Sequence, residues 1–233
     1  MVELVDTLAL GASAARRGGS SPLSRTISFW GQKITTVKSL CIIYIPGLGN
    51  GDYLAQRKIV HWWHFLGVET ELFPINWNDQ KPWSSKRDAL LVRVDALAAQ
   101  GKRVALVGIS AGGSAAINIY AARKNVITGI VCIAGWINYP EDINPIHLKI
   151  NPAFVASAGQ TAASLETLKG TYRRRILSLY ALSDRIVNRR HSIIPGACNR
   201  SVLSIGHGFT IATQIVLGAP GFIRFLKRSA LPD

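Results

Sequence analysis

The chain predicts an α/β fold: a reduced, mostly parallel sheet of about six strands flanked by helices. Two observations carry this. From Val37 onward, short β-rich runs alternate with longer helical patterns. Hydrophobic residues make up 48% of the chain against 17% charged, with 21 Gly and 10 Pro, enough apolar material for a sizeable core. That balance excludes a disordered chain, collagen or a coiled coil. No uncharged run approaches the ~18 residues a transmembrane helix needs, so no membrane span is expected.

The elements follow in order. Ser39-Leu40-Cys41-Ile42-Ile43-Tyr44-Ile45 is a continuous apolar run, a buried strand, and it ends in the glycine-rich loop Pro46-Gly47-Leu48-Gly49-Asn50-Gly51. Tyr53 to Leu66 reads as a helix stopped by Gly67. Val68 to Ile75 alternates and suits a strand nearer an edge. Ser84 and Ser85 precede a helix through Gln100, closed by Gly101. Val104 to Gly108 is a short buried strand, followed at once by a small-residue helix to about Lys124. Ile127 to Trp136, Ile176 to Leu182 and Ser201 to Ile205 are further strands. Phe209 to Lys227 contains the last helix, interrupted at Pro220. The interval 137–175 detours through Pro140, Pro145 and Pro152 and a helical stretch from Ala153 to Lys169. It exceeds common connection lengths, which predicts a small lid inserted before the strand at Ile176. No repeat and no second domain boundary is visible, so 37–233 reads as one domain.

Residues 1–36 differ from the rest. They have no sustained hydrophobic period and carry a Gly/Ser/Arg stretch from Gly11 to Arg25, so a mobile tail is expected. Glu3 and Asp6 stand where a signal peptide would be positive, and Leu8-Ala9-Leu10 is too short an apolar run. Gly19-Ser20-Ser21-Pro22 is the translation of the T-arm sequence GGTTCGAGTCC. The segment therefore resembles a tRNA gene read as protein, a reading that would place the true start downstream of about Arg25.

The net charge is +14, from 27 Lys+Arg against 13 Asp+Glu. This favours anionic surfaces or substrates in general and weak association with them. Clusters occur at Arg173-Arg174-Arg175 and at Arg185, Arg189 and Arg190, but no aromatic interleaving or nucleic-acid module accompanies them, so no specific nucleic acid is expected. Cys41, Cys132 and Cys198 are odd in number, far apart and set in apolar runs. They read as buried, reduced thiols, which suits the cytoplasm.

Gly108-Ile109-Ser110-Ala111-Gly112 matches G-x-S-x-G, directly after a buried strand and directly before a helix, the setting that motif needs. A serine on so sharp a turn leaves no room for side chains two residues to either side, which Gly108 and Gly112 lack; Gly113 lets the helix pack close. Ser110 is thereby raised to a helix N-terminus, where backbone N–H groups favour developing negative charge. A serine hydroxyl needs a base, and the base needs an acid to hold its tautomer. Asp184 follows one predicted strand and His207 another, so the chain order Ser110, Asp184, His207 is nucleophile, acid, base, each at the C-terminal end of a strand. Asp142 is the alternative acid. His61, His64, His147 and His191 read as solvated or partly buried histidines. The backbone N–H of Ala111, and that of Leu48 in the glycine-rich loop, are the expected oxyanion donors. That loop has the wrong spacing for G-x-G-x-x-G and lacks the Lys of a P-loop.

Together, Ile45-Pro46-Gly47-Leu48-Gly49, Val107 to Gly113, Ser183-Asp184-Arg185-Ile186-Val187 and Gly206-His207-Gly208 resemble the α/β-hydrolase superfamily, over about Ser39 to Lys227. The resemblance implies a Ser-His-Asp triad, a two-amide oxyanion hole and hydrolysis of esters or related acyl compounds, with no cofactor and no metal. Two departures stand out: Pro46 occupies a position where many members carry His, and the first strands of the full sheet are missing or replaced by the unusual N-terminal segment, so small lipases and esterases are the better comparison. The expected activity is cleavage of a small-molecule carboxylic ester or thioester. Transfer of the acyl group to an alcohol or amine by the same triad is the second reading. A non-catalytic binding module with a basic face is the third.

Overall fold

In the computed structural model, residues 38–49 and 53–229 are described. The expected tail at 1–36 lies outside them, as do Asn50 and Gly51 of the glycine-rich loop. Six strands form one sheet in the order β2-β1-β3-β4-β5-β6, with every neighbouring pair parallel. They are β1 (Leu40–Ile45), β2 (Glu69–Leu72), β3 (Arg103–Ile109), β4 (Ile127–Ile133), β5 (Ile176–Ser183) and β6 (Cys198–Ile205).

The helices are α1 (Leu54–His61), α2 (Trp83–Ala99), α3 (Ala111–Ala122), α4 (Ile146–Ile150), α5 (Pro152–Thr167), α6 (Thr171–Arg174), α7 (Arg189–Ser192), α8 (His207–Val216) and α9 (Ala219–Arg228). The expected helix from Tyr53 to Leu66 is α1 followed by a 3-10 turn over Trp62–Leu66, stopped by Gly67 at φ 69°. The last helix is two, α8 and α9. Pro220 sits in the first turn of α9, where its missing N–H costs no bond.

Alternate residues of each inner strand feed two cores. Cys41, Ile43 and Ile45 of β1 pack with Leu106 of β3 and the buried faces of α2, α3 and α5. Leu40, Ile42 and Tyr44 pack with Val107 and Ile109 against Val60, Trp63 and the buried faces of α8 and α9. Each fully buried Ile or Leu contributes roughly 1.5–3 kcal/mol, so the sheet is held from both sides. The short β2, predicted near an edge, is the edge strand at one side, and β6 forms the other.

The interval 137–175 divides in two. α5 lies in the helical layer: Phe154, Ala158 and Leu165 are core residues, and Asn118 of α3 donates to the Ser157 carbonyl at 2.8 Å. It is the crossover helix between β4 and β5. The part around 139–151, with the short α4, carries large exposed hydrophobic side chains, at Tyr139, Ile146, Leu148 and Ile150.

Two expectations about side chains need correction. Cys41 and Cys132 are buried and free, but Cys198 is only half-buried because it begins an edge strand. Much of the Arg173-Arg174-Arg175 cluster is structural. Arg173 donates to the carbonyls of Leu165, Leu168 and Pro195, closing the C-terminal end of α5. Arg175 is buried and donates to the carbonyls of Lys124 and Ile127.

Candidate active site

The sheet brings the three expected residues to one rim. Ser110 ends β3 with φ 51° and ψ −117°, a conformation L-residues rarely adopt. Its carbonyl accepts from Gly113 N at 2.9 Å and from Trp136 N at 3.2 Å, and its own N–H donates to Ile133 O at 3.0 Å. The turn is thus pinned to the end of β4. Its glycines are required by backbone contacts: a Cβ on Gly108 would lie 2.3 Å from Gly112 O, and one on Gly112 2.3 Å from Ile45 O. The methylene of Gly113 faces that of Gly135, where a Cβ would meet Cα at 2.8 Å.

Register does the rest. Ser183 of β5 pairs with Ile205 of β6, so Asp184 and His207 emerge side by side just beyond. His207 is the first residue of α8. Thr210 supports that corner, its hydroxyl donating to Gly206 O at 2.7 Å. The Asp184 side chain is 1% exposed and that of His207 12%. Asp184 Oδ1 accepts the N–H groups of Ile186 (2.8 Å) and Val187 (3.0 Å), which fixes the carboxylate. Asp184 Oδ2 lies 2.8 Å from His207 Nδ1, and His207 Nε2 lies 3.0 Å from Ser110 Oγ. An acceptor at Nδ1 selects the Nδ1–H tautomer and leaves the Nε2 lone pair to accept the serine proton.

Ala111 opens α3, where an amide has no intrahelical partner. The β1 loop lies against Ser110: a Cβ on Gly47 would meet Ser110 Cβ at 2.9 Å, and Leu48 follows directly. Two aromatic residues that the motifs did not single out hold this loop. The Tyr53 hydroxyl donates to Ile75 O at 3.1 Å and reaches Gly47 O at 3.5 Å, and Trp77 Nε1 donates to Pro46 O at 3.4 Å. Their only sequence signal is an aromatic just after the glycine-rich loop and another after the edge strand.

Asp142 is not brought to His207. Its carboxylate accepts from His191 Nε2 at 2.8 Å and pairs with Arg190, and these partners hold the carboxyl below its ordinary range, the His191 hydrogen bond foremost. His191 is buried rather than solvated, its ring stacked on Trp136 at 4.3 Å between centroids. His147 bonds to Asn151, and His61 and His64 lie on the 54–66 segment, exposed. Among the described residues no cluster of His, Cys, Asp or Glu suits a metal ion.

A groove lined by Leu182, Ser183, Leu203, Ser204, Ile205 and Phe209 opens at the same strand ends. Another cavity lies elsewhere, between the α1 segment and α8–α9.

No protein-family profile matches the chain, and no curated protein does. Solved structures do match in shape. A metagenome-derived lipolytic enzyme aligns with TM-score 0.61 at 11% identity, over 82% of this chain and 94% of that one. Est1E from Butyrivibrio proteoclasticus with bound ferulic acid aligns with TM-score 0.62 at 14% identity, over 82% and 89%. An S-formylglutathione hydrolase from Agrobacterium tumefaciens aligns with TM-score 0.59 at 14% identity, over 83% and 85%. The fold is that of the α/β-hydrolases. Within this α/β-hydrolase fold, the turn after β3 and the corners after β5 and β6 form the rim where Ser110, Asp184 and His207 meet. Among the described residues no single helix is long and apolar enough to cross a membrane.

Proposed function

We propose that the chain is a serine hydrolase cleaving a carboxylic ester or thioester through an acyl-enzyme. The observation carrying this reading is the continuous hydrogen-bonded relay from Asp184 through His207 to Ser110. As Ser110 Oγ attacks the acyl carbon, its proton passes to His207 Nε2. The carbonyl electron pair moves onto oxygen, which the N–H groups of Leu48 and Ala111 hold; such donors typically contribute about 10²–10³ in rate each. When the tetrahedral species collapses, the bond to the alkoxide or thiolate breaks and that group takes the proton from Nε2. Water then attacks the acyl-enzyme, giving its proton to His207, and collapse returns the proton to Ser110 Oγ and frees the acid. Asp184 keeps the ring oriented and stabilises the imidazolium in both halves.

The groove beside His207, walled by Leu182, Leu203, Ile205 and Phe209, supports an apolar substituent on the substrate. Ile146, Leu148 and Ile150 of α4 offer a further exposed apolar surface for the acyl part. The lipolytic enzyme and the S-formylglutathione hydrolase among the solved neighbours support an ester or S-acyl substrate class. The free thiols Cys41, Cys132 and Cys198 support residence in a reducing compartment.

A fluorophosphonate probe tests the reading. The protein is expected to label at Ser110, and Ser110→Ala to abolish labelling and ester turnover together. Labelling that survives the substitution would sink the assignment.

A further inference from the structure

A groove of about 700 Å³ lies away from Ser110, Asp184 and His207. It lies between the α1 segment and the α8–α9 corner, with Arg57, Lys58, Trp62, Phe65, Val216 and Pro220 in its walls. Its rim is unusual for a surface in water. Trp62 is 70% exposed, Phe65 77% and Leu217, beside Val216, 77%. Residues three apart on a 3-10 turn stand above one another, so Trp62 and Phe65 share one face, while Trp63 between them turns into the core and donates to Ile215 O at 2.9 Å. Exposed aromatic side chains grouped in this way mark an interaction surface.

Charge says what kind. From Tyr53 to Val68, and again from Gly206 to Ser229, the sequence contains no Asp or Glu. Those two stretches supply the α1, α8 and α9 layer on one side of the sheet. They carry Arg57, Lys58, Arg224, Lys227 and Arg228 instead. Arg57 and Lys58, at the groove, form no ion pair among the described residues. Neither do Arg224 and Arg228, which converge with Arg200 of β6 and the ring of Phe225 on a second cleft of about 280 Å³. By contrast, Arg93, Arg123 and Arg190 elsewhere pair with Glu71, Asp95 and Asp142.

We propose that this face docks on an acidic lipid surface, with Trp62 and Phe65 set among the headgroups and Arg57, Lys58, Arg224 and Arg228 meeting lipid phosphates. Indole and phenyl rings flanked by Lys and Arg suit the boundary between acyl chains and headgroups. Cations that form no ion pair among the described residues add, close to an anionic leaflet, attraction that salt screens. A second copy of the chain fits less well, because this face would meet its own positive charge. The inference is independent of the triad's chemistry, since none of these residues reaches Ser110 or His207.

Sedimentation of the full chain with phosphatidylcholine vesicles, with and without phosphatidylglycerol, tests the proposal. Binding is expected only with phosphatidylglycerol present, and to weaken as salt rises. Arg57→Gln with Lys58→Gln is expected to weaken it about thirtyfold, from the worth of two surface cations. Trp62→Ser with Phe65→Ser is expected to abolish it, while the thermal midpoint shows that both variants fold. Failure of the parent chain to bind either vesicle overturns the proposal, as does binding unchanged in folded variants. So does a concentration-dependent dimer that the Trp62→Ser/Phe65→Ser variant loses, since it gives the face to a second copy.

Discussion

Ser110 carries strain that its neighbours enforce. Its φ of 51° is held by three backbone hydrogen bonds and by glycine contacts on both sides. A non-glycine residue in such a region costs of order 1–3 kcal/mol. Glycine has no Cβ to object, but it loses more freedom on folding, which offsets part of the gain. Ser110→Gly should therefore raise stability by about 1 kcal/mol, or roughly 2–4 °C in Tm for a chain of this size, while probe labelling disappears. A calorimetric midpoint equal to or below that of the parent would show that the elbow is relaxed. Much at this scale was legible in advance: the G-x-S-x-G spacing, and Asp184 and His207 just beyond apolar runs, are local signals. Tyr53 and Trp77 were not, because their role depends on carbonyls at Gly47, Ile75 and Pro46 that only the folded loop aims at them.

At the scale of elements, burial decides which thiols react. Desolvation pushes the Cys41 thiol up to about 11 and that of Cys132 up to about 12. The thiolate is the reactive form, so near pH 8 both stay protonated as well as inaccessible. Cys198, half-buried at the start of β6, is the more accessible thiol. Titration with a disulfide reagent should modify Cys198 alone in the native protein and all three cysteines after denaturation; rapid native modification of Cys132 would contradict the packing of β4. The strand and helix order was readable because the buried strands are unbroken apolar runs. The start of β6 was not, since Cys198-Asn199-Arg200 is polar where an edge strand meets water. Nor was the packing of α5. Its buried face mixes Phe154 and Leu165 with Ala153, Ser157, Ala158 and Thr161, and it meets α3 through Ser114, Ser157 and Asn118, a buried polar seam that no hydrophobic period announces.

Across the whole molecule, burial rises from the sheet edges to the centre. β1 and β4 are buried at every position, and β3 at all but Arg103, whereas most of β2 and β6 is not. Amide exchange should accordingly be slowest in β1, β3 and β4 and fastest in β2 and β6. Mass-spectrometric exchange that finds β6 as protected as β4 would mean that something covers that edge in solution. Charge is just as uneven: the described acidic residues fall in two stretches, Glu69 to Asp95 and Glu141 to Asp184, and none belongs to α1, α8 or α9. The glycine contacts around Ser110 also bear on how this chain could change. At Gly108, Gly112 and Gly113 main chain rests directly on main chain, and Gly47 rests on Ser110 itself. With no side chain in between, a neighbour has nothing to shrink in compensation. A mutant library aimed at new substrates would do best to hold these four positions and to spread its diversity over 146–150 and over Leu203, Ile205 and Phe209.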